Sequence, residues 1–210
     1  MKELLVATTN PAKLAEYRFL LRAFALRIIS LRDAGIDAEA PETATSFVAN
    51  ARLKAAFYFA RAARPTLADD GGLEVDALGG APGVLSHRWI GHENPDDRAL
   101  AEEVIRRMAE VEPARRTARI RAAAVLVYTD HGVAREAMAE AALEGVIAER
   151  CYHEVREGFP YRSVLYLPER GRYLAELSDD EAARLSQRRI VVERLAAEFA
   201  RIADQGRGPE

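Results

Sequence analysis

Apolar residues along this chain fall into two rhythms. Short runs bounded by turn residues read as strands, and stripes spaced by three and four read as helices. Residues 4–7 (LLVA) form a buried first strand that ends in Thr8-Thr9-Asn10-Pro11-Ala12-Lys13. Leu14, Tyr17, Leu20, Leu21 and Phe24 then share one side of a helix, with Asn10 suited to its N-cap and Pro11 to its first position. Residues 26–31 give a second strand, 32–41 a loop and 45–61 a helix. One face of that helix carries Phe47, Asn50, Ala51, Lys54 and Tyr58. Further on, 94–108 reads as a helix opened by Pro-Asp-Asp, 120–128 as a strand and 130–132 as a hairpin turn. Helix propensity makes a helix of the partner stretch 133–149, which contains REAMAEAALEG. Residues 158–168 are aromatic and turn-rich, and 167–177 are extended. A last helix runs from about 179 or 186 to 203, and a polar tail from 204 is expected to fray.

Candidate chemistry concentrates in residues 67–83, LADDGGLEVDALGGAPG, where an apolar entry meets Asp69 and Asp70 and five glycines follow. This is the look of a strand that ends at a site and delivers its carboxylates to the sheet edge. Glycines there permit tight turns or close backbone approach. Neighbouring strand residues face opposite ways, so one aspartate can meet a ligand while the other caps the turn. Asp-Asp-Gly-Gly is equally the composition of a plain turn, so a second site has to decide. The strand–helix junction at 8–13 supplies one. Helix N–H groups, the positive dipole end and the Thr8, Thr9 and Asn10 side chains make an anion site. Lys13 stands at the unfavourable end of that dipole, which a bound phosphate would reverse; a solvated surface lysine is the alternative. Asn50 and Lys54 interrupt an apolar stripe, either as satisfied structure or as a cation offered to a cleft. Glu42 precedes this helix, where the dipole alone favours a carboxylate.

With 210 residues, 49% of them hydrophobic, one domain with a sizeable core is expected. The net charge of −3 leaves no basic footprint for a nucleic-acid polymer or an anionic membrane. The one cysteine, Cys151, excludes an internal disulfide and suits a reducing cytosol. His87 has no partner at metal-ligand spacing. Neither a signal peptide nor a membrane span is read, so a soluble cytoplasmic protein is expected.

Taken in order, ATTNPAK (7–13), PET with FxxNAxxKA (41–55), LADDGGLEVDALGGAPG (67–83) and Ser86-x-Arg88 resemble the inosine/xanthosine triphosphate pyrophosphatase family. GFPYRSVLYLP (158–168), AEL (175–177) and Ser186-x-Arg188 extend the likeness in outline. The resemblance implies an elongated α/β fold, a central mixed β-sheet flanked by helices, with two lobes around an active-site groove and usually a homodimer. It makes 133–149 largely strand, against propensity. It implies Mg²⁺-assisted hydrolysis of ITP, XTP or dITP to the monophosphate and pyrophosphate. Carried over by position, Thr8, Thr9, Asn10 and Lys13 hold phosphates and Lys54 adds charge. Glu42 and Asp70 hold the metal, and Asp70 or Asp69 activates water. Gly71, Phe159, Tyr161, Arg162, Gln187 and Arg188 meet the nucleotide.

Departures from the family gather where the base is read. Pro160 replaces a glycine, Arg162 and Ser163 replace Asp-Pro, Ala182 a lysine, Gln187 a histidine and Arg189 a glycine. Ala49 and Gly71 replace an acid and a serine. Altered or relaxed base preference is therefore expected, with Arg162 able to reach purine O6 and N7 or to remain solvated. The alternatives to a pyrophosphatase are a diverged phosphohydrolase of another nucleotide and a catalytically weak nucleotide sensor.

Overall fold

The computed structural model describes residues 1–91 and 96–205. In chain order it contains β1 (Lys2–Val6), α1 (Pro11–Leu20), β2 (Leu26–Ile29), α2 (Phe47–Ala62), β3 (Thr66–Val75) and α3 (Asp97–Arg107). There follow β4 (Thr117–Asp130), β5 (Val133–Ile147), β6 (Leu165–Leu167), β7 (Arg172–Tyr173), α4 (Asp179–Leu185), α5 (Gln187–Arg194) and α6 (Ala196–Asp204). The strands make one seven-stranded sheet of order β2-β1-β3-β4-β5-β6-β7. It is mixed: β1 runs parallel to β2 and β3, whereas β6 runs antiparallel to β5 and β7. Among the described residues, no helix is long and apolar enough to cross a membrane.

The chain divides into two compact units. The first takes Met1–Asp70, Ala122–Ala141 and the stretch from Arg188 onward, and the second takes Gly71–Arg121 and Ala142–Gln187. In the first unit, alternation along the strands sorts the core into two layers. Leu4, Val6, Leu67 and Leu126 pack with Tyr17 and Leu21 near α1, Val191 of α5 and Phe199 of α6. Leu5, Ala7, Ala68 and Val125 pack with Ala51, Ala55 and Tyr58 of α2. Thus α1 and α2 flank opposite faces, with β1 lying between β2 and β3. The order of connection reverses at β1, and the carboxyl end of such a strand is where open α/β sheets bind ligands. The second unit has its own core, in which Leu100 and Val104 of α3 meet Leu73, Leu165 and Leu174.

Four sequence expectations change. Residues 167–177, expected extended, are turns of 3-10 helix at Pro168–Arg170 and Leu174–Glu176 around the two-residue strand Arg172–Tyr173. The acids do not end a strand at a sheet edge: β3 continues through Asp69, Asp70, Gly71 and Gly72 to Val75, inside the sheet. The reason lies at Gly72, where a Cβ would stand 2.0 Å from Ser86 Oγ and 2.9 Å from the Gly83 carbonyl. That glycine serves a close approach of backbone rather than a turn. Residues 133–147 are strand, as the family likeness requires and helix propensity does not. Ala137, Ala139, Ala141 and Leu143 pack inward at a period of two, and the preceding turn has positive φ at both His131 (46°) and Gly132 (80°), as a tight hairpin needs. The last helix is three helices, because Ser186 (ψ 129°) and Leu195 (ψ 7°) leave helical geometry between them. Of the helix start expected from 94 with Pro-Asp-Asp at 95–97, the described residues begin at Asp96, which caps α3. Residues 206–210 of the expected tail lie outside the described residues, and α6 runs to Asp204.

Candidate active site

The β1–α1 junction folds as its residues suggest. Asn10 caps α1, its Oδ1 accepting from the N–H groups of Ala12 (2.9 Å) and Lys13 (3.1 Å). Thr8 Oγ1 accepts from the Asn10 N–H at 3.1 Å. The turn therefore satisfies two of its own helix N–H groups, which the sequence reading left open to an anion. Thr9 is exposed, and Thr8 and Asn10 are half-buried.

Lys13 is not a solvated surface lysine. It is 8% exposed, and its Nζ lies 3.2 Å from Asp69 Oδ1. The other oxygen of Asp69 accepts from Arg188 Nε at 2.9 Å, and Arg188 Nη1 also reaches Glu16 Oε2 at 3.2 Å. Lys13, Asp69, Arg188 and Glu16 form a buried chain of alternating charge, with the Tyr17 hydroxyl buried beside it. Burial alone would raise the Asp69 carboxyl, but Arg188 and Lys13 outweigh it and hold the carboxyl well below the usual range. Burial, opposed by Asp69, draws the Lys13 ammonium down.

Asp70 projects to the other face of β3, toward α2. Its Oδ2 accepts from Asn50 Nδ2 (3.1 Å) and its Oδ1 lies 3.3 Å from Lys54 Nζ. Lys54 Nζ also donates to Glu42 Oε1 at 2.8 Å, so one ammonium bridges two carboxylates. Burial works against that charge, yet Asp70 and Glu42 prevail and raise the Lys54 pKa. Asn50 Oδ1 meanwhile accepts from the Ala44 N–H at 2.9 Å. The two ends of one buried amide thus tie the Glu42 loop to Asp70.

Lys13 meets Asp69, and Lys54 meets Asp70 and Glu42, as two clusters on opposite faces of β3; Arg188, expected at the nucleotide, bonds Asp69 and Glu16. Two participants went unlisted by sequence. Glu16 lies three residues past Lys13, hence on the same helical face, which was the available signal. Asn50 stood out only as an interruption of its stripe. Gly71 follows Asp70 within β3.

In the second unit, residues 160–163 form a turn of 3-10 helix with Pro160, Tyr161 and Ser163 buried. The Tyr161 hydroxyl donates to the Ser86 carbonyl, and burial pushes its pKa up. Arg162 is neither fully buried nor solvated: its guanidinium stands 4.0 Å from the centre of the Phe159 ring. The Asp97 carboxylate accepts from the Gly158 N–H at 2.6 Å, at the entrance to this turn. Gln187 is buried.

Residues 4–198 match the Ham1 family model. A dITP/XTP pyrophosphatase of Geobacillus kaustophilus is 38% identical over 202 residues, 96% of each chain. One of Bacillus subtilis is 35% identical over 196 residues, 93% of this chain and 96% of its own. Among solved structures, a HAM1 protein of Coxiella burnetii superposes with a TM-score of 0.82 at 30% identity, over 95% of this chain and 98% of that one. The Staphylococcus aureus Ham1 protein gives 0.80 at 27% identity, over 94% and 98%. With its paired acids and lysines at the β1 switch point and a match along nearly its whole length, the chain belongs to the Ham1 family.

Proposed function

We propose that this protein hydrolyses dITP, XTP and related non-canonical purine nucleoside triphosphates to the monophosphate and pyrophosphate. The observation that carries the reading is the pairing of Lys13 with Asp69 and of Lys54 with Asp70 on the two faces of one strand, in a chain akin to dITP/XTP pyrophosphatases.

The roles follow from exposure and partners. The Asp69 side chain is fully buried between two cations, so it serves as their anchor and orients Lys13 and Arg188. Asp70 keeps 12% of its side chain exposed and is the carboxylate able to take a proton from water. Thr8, Thr9, Asn10, Lys13 and the Gly71 backbone receive the phosphates, and Lys54 adds charge from α2. Attack by water forms one P–O bond at the α-phosphorus while the bridge to the β-phosphorus breaks, and pyrophosphate departs. Phe159, Tyr161, Arg162, Gln187 and Arg188 address the nucleoside, with Arg162 the cation that would suit purine acceptors.

Glu42 and Asp70 fit Mg²⁺: both are hard carboxylate donors, and this ion needs only one or two beside phosphates and water. No group of three or more His, Cys, Asp or Glu able to hold a metal occurs among the described residues. Bound there, Mg²⁺ would offset the charge of the polyphosphate and of the departing pyrophosphate.

Pyrophosphate release from dITP, XTP, ITP, dGTP, dATP and dCTP, with and without Mg²⁺, tests the reading. Metal-dependent turnover led by dITP and XTP is expected; nucleotide binding without turnover would point to a sensor instead. In the same panel, Arg162→Ala should depress purine turnover more than pyrimidine turnover, and an equal loss on both would remove Arg162 from base reading. The same proposal includes a cytoplasmic homodimer. Light scattering that returned the mass of one 23.2 kDa chain would count against the dimer.

A further inference from the structure

The Lys54 ammonium touches both Glu42 and Asp70, the two residues assigned above to the metal. We propose that Lys54 is a resident counter-ion for this carboxylate pair, so that the free protein binds a divalent cation weakly and gains it only as a polyphosphate draws the ammonium away. The proposal rests on the metal assignment of the preceding subsection.

Three observations carry it. The distances are those of direct contact, 2.8 Å to Glu42 and 3.3 Å to Asp70, so one ammonium lies between the oxygens a metal would use. The side chains of Lys54 and Asp70 are only 11% and 12% exposed, so solvent and salt screen their interaction poorly. Asn50 holds the arrangement from both ends, through Asp70 and through the Ala44 N–H beside the Glu42 loop. A divalent ion brought to these oxygens while Lys54 stays would meet a third positive charge at contact distance. An incoming phosphate gives the ammonium another anion to pair with, and that exchange vacates the pair. By linkage, anything that moves Lys54 aside raises metal affinity, and the metal in turn favours the displaced lysine. Two formal negative charges against one leave the cluster net negative, so a second cation is attracted once the first has moved.

The test needs no turnover. Mn²⁺ binding to the nucleotide-free protein is counted by the electron paramagnetic resonance signal of unbound Mn²⁺, with circular dichroism and melting curves verifying each variant. Lys54→Gln keeps a polar donor on a side chain one atom shorter while removing the charge, and it should tighten Mn²⁺ binding by about tenfold or more. Lys54→Arg keeps the charge and should remain as weak as the parent protein. Glu42→Gln added to Lys54→Gln should abolish the gain. Unchanged or weaker binding in Lys54→Gln overturns the proposal, as does a gain that survives Glu42→Gln, which would locate the cation elsewhere. Should Lys54→Gln not fold, Lys54→Met replaces it and is read in the same way. A protein that turns over dITP with no Mn²⁺ gain in Lys54→Gln refutes this inference alone. A Mn²⁺ gain in a protein inactive on every triphosphate refutes the functional reading alone.

Discussion

Asp69 and Asp70 are adjacent in sequence and carry the same kind of side chain, yet their surroundings assign them different work. One is sealed between Lys13 and Arg188, and the other meets a neutral amide and a lysine it shares with Glu42. Sequence could place both acids and both lysines at the site, because charges near a helix start or inside an apolar stripe stand out against their background. It could not tell the aspartates apart, since the alternation of a strand names opposite faces without saying what lies on each. Asn50 illustrates the same limit: its interruption of the stripe was visible, and its two partners, six and twenty residues away, were not. If the amide positions Glu42 against Asp70, Asn50→Ala loses one bond to a charged group and one to backbone. Stability should fall by about 1–3 kcal/mol, and kcat/KM on the preferred triphosphate by on the order of 10- to 100-fold. Chemical denaturation and steady-state kinetics check the two effects; lower stability with full turnover would make Asn50 a residue of the fold only.

Elements were legible where pattern and propensity agreed and misread where they competed. α2 is read to within two residues at its start, because its apolar stripe begins at Phe47, just after the Ser46 cap that accepts from the Ala49 N–H at 3.2 Å. β5 carries Glu, Ala and Met, all good helix formers, but Ala137, Ala139, Ala141 and Leu143 fill the inward positions of a strand. Cross-strand packing outweighs local preference there, as it commonly does within a sheet. Past the acids of β3, the glycines suggested a turn because sequence shows flexibility but not proximity. The neighbour that makes Gly72 necessary is Ser86, whose Oγ accepts from the Leu73 N–H at 3.2 Å and donates to the Gly83 carbonyl at 2.6 Å. Gly72→Ala should therefore destabilise the protein by about 1–3 kcal/mol through overpacking. Gly72→Ala combined with Ser86→Gly should recover part of the loss in a thermal melt, because the added methyl then opposes only backbone, at 2.9 Å from the Gly83 carbonyl. Equal melting of the parent and Gly72→Ala would show that β3 tolerates a side chain at this point.

Over the whole molecule, the two compact units were beyond the reach of local pattern, because neither is continuous in sequence: residues 1–70, 122–141 and 188 onward build the first. The Asp69 cluster is a product of that discontinuity, since Arg188 Nε bonds a carboxylate 119 residues earlier. Its protonation should be felt by the entire fold. In the unfolded chain Asp69 titrates near the ordinary aspartate value of 3.8, and in the folded chain it titrates lower, with Arg188 and Lys13 outweighing burial. The stability it supplies is complete above the unfolded value and drains away as pH falls from there through the folded value, because only the unfolded state then takes up the proton. Burial, opposed by Asp69, draws the Lys13 ammonium down as well, so its linkage runs in the same sense, with stability rising as pH rises. Denaturant titrations between pH 7 and pH 2 should show stability dropping across the acid limb. Asp69→Asn, which leaves two buried cations facing an amide, should start about 3–5 kcal/mol lower at pH 7. It should also lose stability less steeply on acidification, since the group that distinguished the two states is gone. An acid slope as steep in Asp69→Asn as in the parent would mean that other carboxylates govern the loss and that the buried chain of charges does not anchor this fold.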